Sequence, residues 1–319
     1  MFNVSLAAVE AFSIAVYIAV ILTVTTNSHF KSPFYTLVAA TGVGDVIGVL
    51  SNMVLRIVVE ERLDITWATA ASIATYVSGA MYVSHEIGNT YICFHRYSSV
   101  SHPLTDIWRP RNVVVMIVLQ YCVSLVSLTH LFGQQVLIVE HSDGWKYEGF
   151  EPKFDMFSRL VYVSSAGISA VLSTIWSVLT IKKGYEAIGS TNFRSAEKRI
   201  LIYTTSNCLV SLLMFALQSF RLYGQIAVLT TGVVDQPAML SWFYNNASEI
   251  FVVVHGAQLH KIVVGKYMFF YIADVQMLMN GYLLLFLCTG IADNIISKYR
   301  RSQTQVNVIS RSNMRAVVG

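Results

Sequence analysis

Three carboxylates stand inside long apolar runs of the chain: Asp45, Glu86 and Asp274. In nonpolar surroundings each must hold a proton, meet a cation or be filled with hydrogen bonds, because a bare charge there is costly. Glu86 belongs to a stripe of Tyr82, His85, Glu86, Asn89, Cys93 and Arg96, whose spacings of 3, 1, 3, 4 and 3 put all six on one helix face. Tyr162, Ser165, Ser169, Ser173, Trp176 and Thr180 form a second stripe, and Tyr203, Asn207, Ser211, Met214, Gln218 and Arg221 a third. Stripes of this kind supply hydrogen bonds between helices, or a polar seam along a cavity. A single Ser or Thr among them is expected to be interhelical glue. Glu86 precedes Arg96 by ten residues, about 15 Å along a helix axis. That depth suits a packing or protonation switch more than a ligand. Asp45 and Asp274 are expected to be internal hydrogen-bonding groups. Glu10, near the outer end of the first apolar run, is expected to reach water.

No hydrolytic or phosphate-binding motif accompanies these residues. HExxH, the P-loop, GxSxG and Cys/His metal spacings are all missing. The eight histidines are scattered, and His255 and His260 are too far apart on a helix to share a metal. Cys93, Cys122, Cys208 and Cys288 all lie in apolar runs, so no disulfide between outer loops is expected. The sequence implies no enzyme, no cofactor and no metal.

The elements that carry the stripes are seven apolar runs, each long enough to cross a bilayer: Leu6–Thr25, Phe34–Leu55, Trp67–Phe94, Val113–Leu131, Leu160–Ile181, Ile200–Leu222 and Tyr267–Ile291. A spanning helix needs about 20 mostly apolar residues, since hydrocarbon offers the backbone no partner. The 319 residues are 55% apolar and only 13% charged, about half the usual soluble charge content. The fold class is an all-α membrane protein, a seven-helix bundle. No repeat relates the two halves, which weakens a transporter built from repeats. No cleavable leader pattern precedes the first run, so that helix is expected to stay. The net charge of +4 comes from loop residues beside helix ends and calls for no nucleic acid.

With the N-terminus outside, 14 of the 22 Lys and Arg fall in inner segments, and Arg56 and Arg62 are counted in the second, outer connection. The expected topology is therefore N-terminus outside, C-terminus cytosolic. Two sequons, at Asn3 and Asn246, fall outside in this arrangement, and Asn246 is the glycosylation candidate.

The third run ends Phe94-His95-Arg96-Tyr97-Ser98-Ser99-Val100-Ser101-His102-Pro103-Leu104. This resembles the inner end of helix three in seven-helix G-protein-coupled receptors, where an acid-Arg-Tyr triplet precedes a short loop with Pro. With Trp108 following, it is similar to the nematode serpentine chemosensory receptors of the gamma superfamily, class V or a neighbouring class. Phe30-Lys31-Ser32-Pro33-Phe34-Tyr35, Tyr271-Ile272-Ala273-Asp274 and Asn280-Gly281-Tyr282-Leu283-Leu284-Leu285 fit the same group. The resemblance implies a multi-pass plasma-membrane chemoreceptor, in sensory cilia. It implies a small-molecule or peptide ligand in the outer half of the bundle and a heterotrimeric G protein at the inner face. Coupling then falls to Arg96, Tyr97, Pro103 and Leu104. The ligand contacts are Tyr76, Tyr82, Tyr162, Ser165, Gln218 and Met277. Arg96 is expected to contact helix six near Tyr203 or Asn207. Glu86 is expected to face the bundle and pair with a polar group on a neighbouring helix, the Asp45 side being one option if Glu86 is protonated.

The chain departs from that pattern in places. His95 replaces the acid before Arg96, and Gly281 stands where the family has Pro. All five prolines lie outside the runs, so no helix is kinked by proline. The connection Gly224–Lys266 is far longer than the family's, and is taken as an unusual outer insert or retained non-coding sequence. Residues 1–300 form the membrane domain and 301–319 a cytosolic tail. The rival readings are a transporter or channel using Asp45, Glu86 and Asp274, and a non-signalling orphan membrane protein.

Overall fold

The computed structural model describes residues 4–61, 63–101, 106–141, 144–188, 195–231, 264–287 and 291. They carry seven α-helices: α1 Val4–Thr26, α2 Pro33–Glu60, α3 Ala68–Ser101, α4 Pro110–Ser127, α5 Pro152–Ile188, α6 Ser195–Thr231 and α7 Val264–Leu287. Three prolines act as helix starters. Pro33 and Pro110 occupy the first turns of α2 and α4, and Pro152 opens α5; their missing N–H is one a helix leaves unpaired there anyway. Asp64 initiates the turn before α3 by accepting from the Thr66 N–H at 3.1 Å.

The helix ends move several boundaries. α4 stops at Ser127 rather than Leu131, and a short 3-10 turn covers Thr129–Leu131. The hydroxyls of Ser127 and Thr129 take up the carbonyls of Ser124 and Val126 there, which competes with continued helix. α2 runs on to Glu60, so Arg56 lies inside a helix rather than in a connection. α6 continues past Gly224 to Thr231, and α7 starts at Val264. The connection between α6 and α7 is therefore shorter at both ends than Gly224–Lys266, and residues 232–263 lie outside the described residues.

The connection between α4 and α5 holds a β-hairpin, β1 Leu137–His141 against β2 Gly144–Gly149, antiparallel, with Ile138 opposite Tyr147. Val136, Ile138 and Phe150 are buried on Leu55, Ala71, Leu128 and Leu131. The hairpin thus closes one end of the bundle, over α2, α3 and α4. Its signal was the β-prone run Leu137-Ile138-Val139, the Asp143-Gly144 turn pair and the alternating Trp145-Lys146-Tyr147, which the all-α expectation passed over.

α3 is the central helix. It packs against α2, α4, α5 and α6, while α7 packs against α1, α2 and α6 and closes the ring. The main apolar core joins Tyr17, Leu37, Val49, Ile92, Met214 and Met277. α4 is inside out for a water-soluble helix. Its buried residues are Val113, Gln120 and Ser124, while Val114, Val118 and Val126 are exposed. Polar side chains face protein and apolar ones face outward, as lipid demands. Among the described residues, four helices are long and apolar enough to cross a membrane: those containing Ala8–Thr26, Pro33–Val58, Pro110–Ser127 and Lys153–Lys183. α3 falls short because its inward face is polar.

Candidate functional site

Three buried polar clusters run down the bundle. The first lies nearest the hairpin end. Arg56 of α2 grips both carboxylate oxygens of Glu10 in α1, and its Nη1 lies 3.0 Å from Asp274 Oδ2 in α7. Asn52 Nδ2 donates to Asp274 Oδ1 at 2.7 Å, and Ser78 of α3 donates to Asn52 Oδ1 at 2.5 Å. The cluster corrects two expectations. Arg56 is not an outer-loop residue, and Glu10 does not reach water; they are 2% and 7% exposed. Each shields the other from lipid, and the planar guanidinium fits a carboxylate bidentately. The sequence held a signal for this. Thr41, Asp45, Asn52 and Arg56 fall at spacings of 4, 7 and 4, one face of α2.

The second cluster is a directed chain. Tyr203 of α6 donates to Asn280 Oδ1 of α7 at 3.0 Å. Asn280 Nδ2 donates to Asn89 Oδ1 of α3 at 3.2 Å. Asn89 Nδ2 then faces His85 Nε2 at 2.8 Å, and His85 Nδ1 faces Asp45 Oδ1 of α2 at 2.7 Å. Tyr17 of α1 donates to Asp45 Oδ2 at 2.9 Å. Each amide passes its orientation to the next. Asn89 turns its nitrogen to His85 because its oxygen serves Asn280, so His85 accepts at Nε2 and donates from Nδ1. Five helices are tied by one line of bonds. Gly281 belongs to it by shape. A Cβ there would fall 2.4 Å from Tyr17 Cδ2, so the ring that holds Asp45 requires glycine at this place.

Glu86 is the third. Gln276 Nε2 of α7 donates to its Oε1 at 2.7 Å, and Ser211 of α6 donates to Oε2 at 3.4 Å. Ser169 of α5 donates to the Glu86 carbonyl at 2.9 Å. Glu86 is fully buried and faces the bundle. Its partners are on α6 and α7, not on the Asp45 side. Gln120 separately ties α4 to Ser84 of α3 at 3.0 Å. Gly88 permits this approach, since a Cβ would sit 2.8 Å from Gln120 Nε2 and 2.2 Å from Thr41 Oγ1.

At the far end of α3, the Arg96 guanidinium lies 3.5 Å from the centre of the Phe34 ring of α2. Phe34 meets the Tyr203 ring edge-on at 5.9 Å. Arg96 therefore approaches α6 through Phe34. Tyr97 stacks on Trp176 of α5 at 5.0 Å. Trp108 donates to Ser98 at 2.7 Å and packs on His95, so His95 is held by aromatic packing where the resemblance has an acid. Pro103 and Leu104 lie outside the described residues, as do Asn246, His255 and His260.

The expected ligand contacts divide. Tyr76 donates to the Leu125 carbonyl of α4 at 3.0 Å, and Ser165 donates to the Tyr162 carbonyl of its own helix. Both are engaged in holding helices. Tyr82 and Tyr162 meet edge-on at 5.6 Å between α3 and α5. Gln218 and Met277 are buried on α6 and α7. Asp45, Glu86 and Asp274 sit in three separate clusters, each with its own partners. Among the described residues no group of His, Cys, Asp or Glu could hold a metal.

No curated protein matches the chain. The family described as serpentine type 7TM GPCR chemoreceptor Srv matches residues 6–259, from α1 through α6 and into the long connection. That stretch is most of the chain, and it joins the inside-out helices and the polar-centred α3 in a single conclusion: the chain is a membrane protein that belongs to the Srv family of seven-helix G-protein-coupled chemoreceptors.

Proposed function

We propose that the receptor sits in the plasma membrane with its N-terminus outside, binds a small molecule or peptide in the hairpin half of the bundle, and engages a heterotrimeric G protein at the Arg96 end. What supports this is one contact chain. Arg96 rests on Phe34, Phe34 on Tyr203, and Tyr203 bonds Asn280, where the relay to Asp45 begins. A ligand that shifts α6 or α7 in the hairpin half loads these bonds, and the load ends at Arg96 and Tyr97. Packed interiors switch between discrete arrangements rather than bending smoothly, so such a line transmits a population shift. Pro103 and Leu104 continue the coupling surface. Sensory cilia are the proposed place of action.

The test is a calcium or cAMP response to an odorant panel in cells expressing the full chain. A response that needs a co-expressed G protein supports the reading. Currents or uptake that persist without one would replace it with an ion path.

A further inference from the structure

Arg96 and Tyr97 are neighbours in the chain but not in their contacts. Successive helical residues diverge by about 100°, so Arg96 turns to Phe34 of α2 and Tyr97 to Trp176 of α5. The line of contacts from Tyr203 reaches Arg96 through Phe34. Trp108 extends it to Tyr97. The Phe34 ring lies 6.1 Å from the His95 ring, and His95 meets Trp108 edge-on at 4.5 Å. Trp108 packs on Phe94 at 5.6 Å, Phe94 packs on Trp176 at 5.1 Å, and Trp176 carries Tyr97 at 5.0 Å. Arg96 and Tyr97 are thus the two ends of one run of ring contacts through Phe34, His95, Trp108, Phe94 and Trp176.

Trp108 is the ring of this run that no α-helix carries. It ends the 3-10 turn Asp106–Trp108 in the connection between α3 and α4. Arg109 Nε donates to Asp106 Oδ1 at 3.0 Å, and Asn112 Nδ2 donates to the Asp106 carbonyl at 3.1 Å. These bonds tie the turn to the start of α4. The Trp108 indole donates to Ser98 Oγ at 2.7 Å, and Ser98 donates in turn to the His95 carbonyl at 3.0 Å. With its proton spent on His95, the buried Ser98 oxygen offers the indole a lone pair, which fixes the direction of the bond. A phenyl ring could fill this place but not donate, and an aliphatic side chain could do neither.

We infer that Trp108 is a positioning residue of the coupling end. Through His95 and Phe94 it fixes Arg96 and Tyr97 relative to each other, so that a G protein meets both in one arrangement. A partner that meets side chains already held in place loses less in ordering them. The inference rests on the receptor reading and adds a residue to it.

The test compares Trp108→Leu, Trp108→Phe and Ser98→Ala in the full chain, with the response to an odorant panel divided by surface expression. Trp108→Leu loses two ring contacts and the N–H bond, and its maximal response per receptor falls about 10-fold. Trp108→Phe keeps the rings and Ser98→Ala keeps the indole, so each falls only about 3-fold, and the two combined fall no further. A role in folding alone would lower surface expression and leave the response per receptor intact. Hydrogen exchange of the purified protein in detergent reads the positioning without a G protein. Trp108→Leu speeds exchange in the last two turns of α3 and in the turn of α5 around Trp176, and leaves the hairpin end as in the wild type. Exchange that stays at the wild-type rate around Trp176, or a full response per receptor in Trp108→Leu, overturns the inference. Silence of every variant and of the wild type would remove the receptor reading alone, and the exchange pattern then decides the positioning.

Discussion

His85 Nδ1 lies 2.7 Å from Asp45 Oδ1, with both side chains 1% exposed or less. The pair joins α2 to α3 as the fourth of the five bonds in the line that begins at Tyr203. A carboxylate in this place satisfies one donor from α1 and one from α3, so its loss strands both. Asp45→Ala should lower stability by about 3–5 kcal/mol, the usual cost of breaking a buried pair from one side. Thermal unfolding of the purified protein measures this; a loss below 1 kcal/mol would mean that the line is not mechanically continuous.

Arg56 poses a different balance, because one cation serves two carboxylates. Arg56→Met leaves Glu10 and Asp274 facing each other with no counter-charge, and surface expression should collapse. Neutralising all three positions, as Glu10→Gln, Arg56→Met and Asp274→Asn together, should restore much of it, since apolar or amide replacements of buried ion clusters are often neutral. Flow cytometry on tagged variants separates the two results. Equal collapse in the triple variant would assign the cluster a role beyond charge balance.

Gly281→Ala tests shape rather than charge. The new methyl group would stand 2.4 Å from Tyr17 Cδ2, so the ring must leave Asp45. Overpacking of this kind costs about 1–3 kcal/mol. Combining it with Tyr17→Leu should recover the steric part of the loss, leaving only that of the Tyr17 hydroxyl. Additive losses in the double variant would show that the two residues are not in contact.

Arg96→Ala should abolish signalling while surface expression stays normal, because Arg96 holds a half-buried position against Phe34 rather than in the core. Phe34→Leu should weaken signalling by the same route. Full signalling by both variants would remove Arg96 from coupling.

Topology is checked by tags after Asn246 and at the C-terminus, stained before and after permeabilisation. Only the tag after Asn246 should be visible on intact cells. A visible C-terminal tag would overturn the seven-span topology with the N-terminus outside.

Much of the architecture was legible because lipid imposes a local rule. Every spanning stretch must be long and apolar, so seven runs announced seven helices. The stripe from Tyr82 to Arg96 showed which face of α3 turns inward, while its central position among the helices came from the packing. The partners of those groups were not legible. Glu86 was expected to pair with a neighbouring helix, the Asp45 side being one option, yet which helix was not readable: Glu86 turns to Gln276 and Ser211 while Asp45 takes His85 and Tyr17. Periodicity fixes the face of a helix, but rotation and depth against its neighbours decide which polar atom meets which. Arg56 shows the same limit at a helix end. One residue past an apolar run it looked like a loop cation, and only its packing between α1 and α7 turned it into the counter-charge of Glu10 and Asp274.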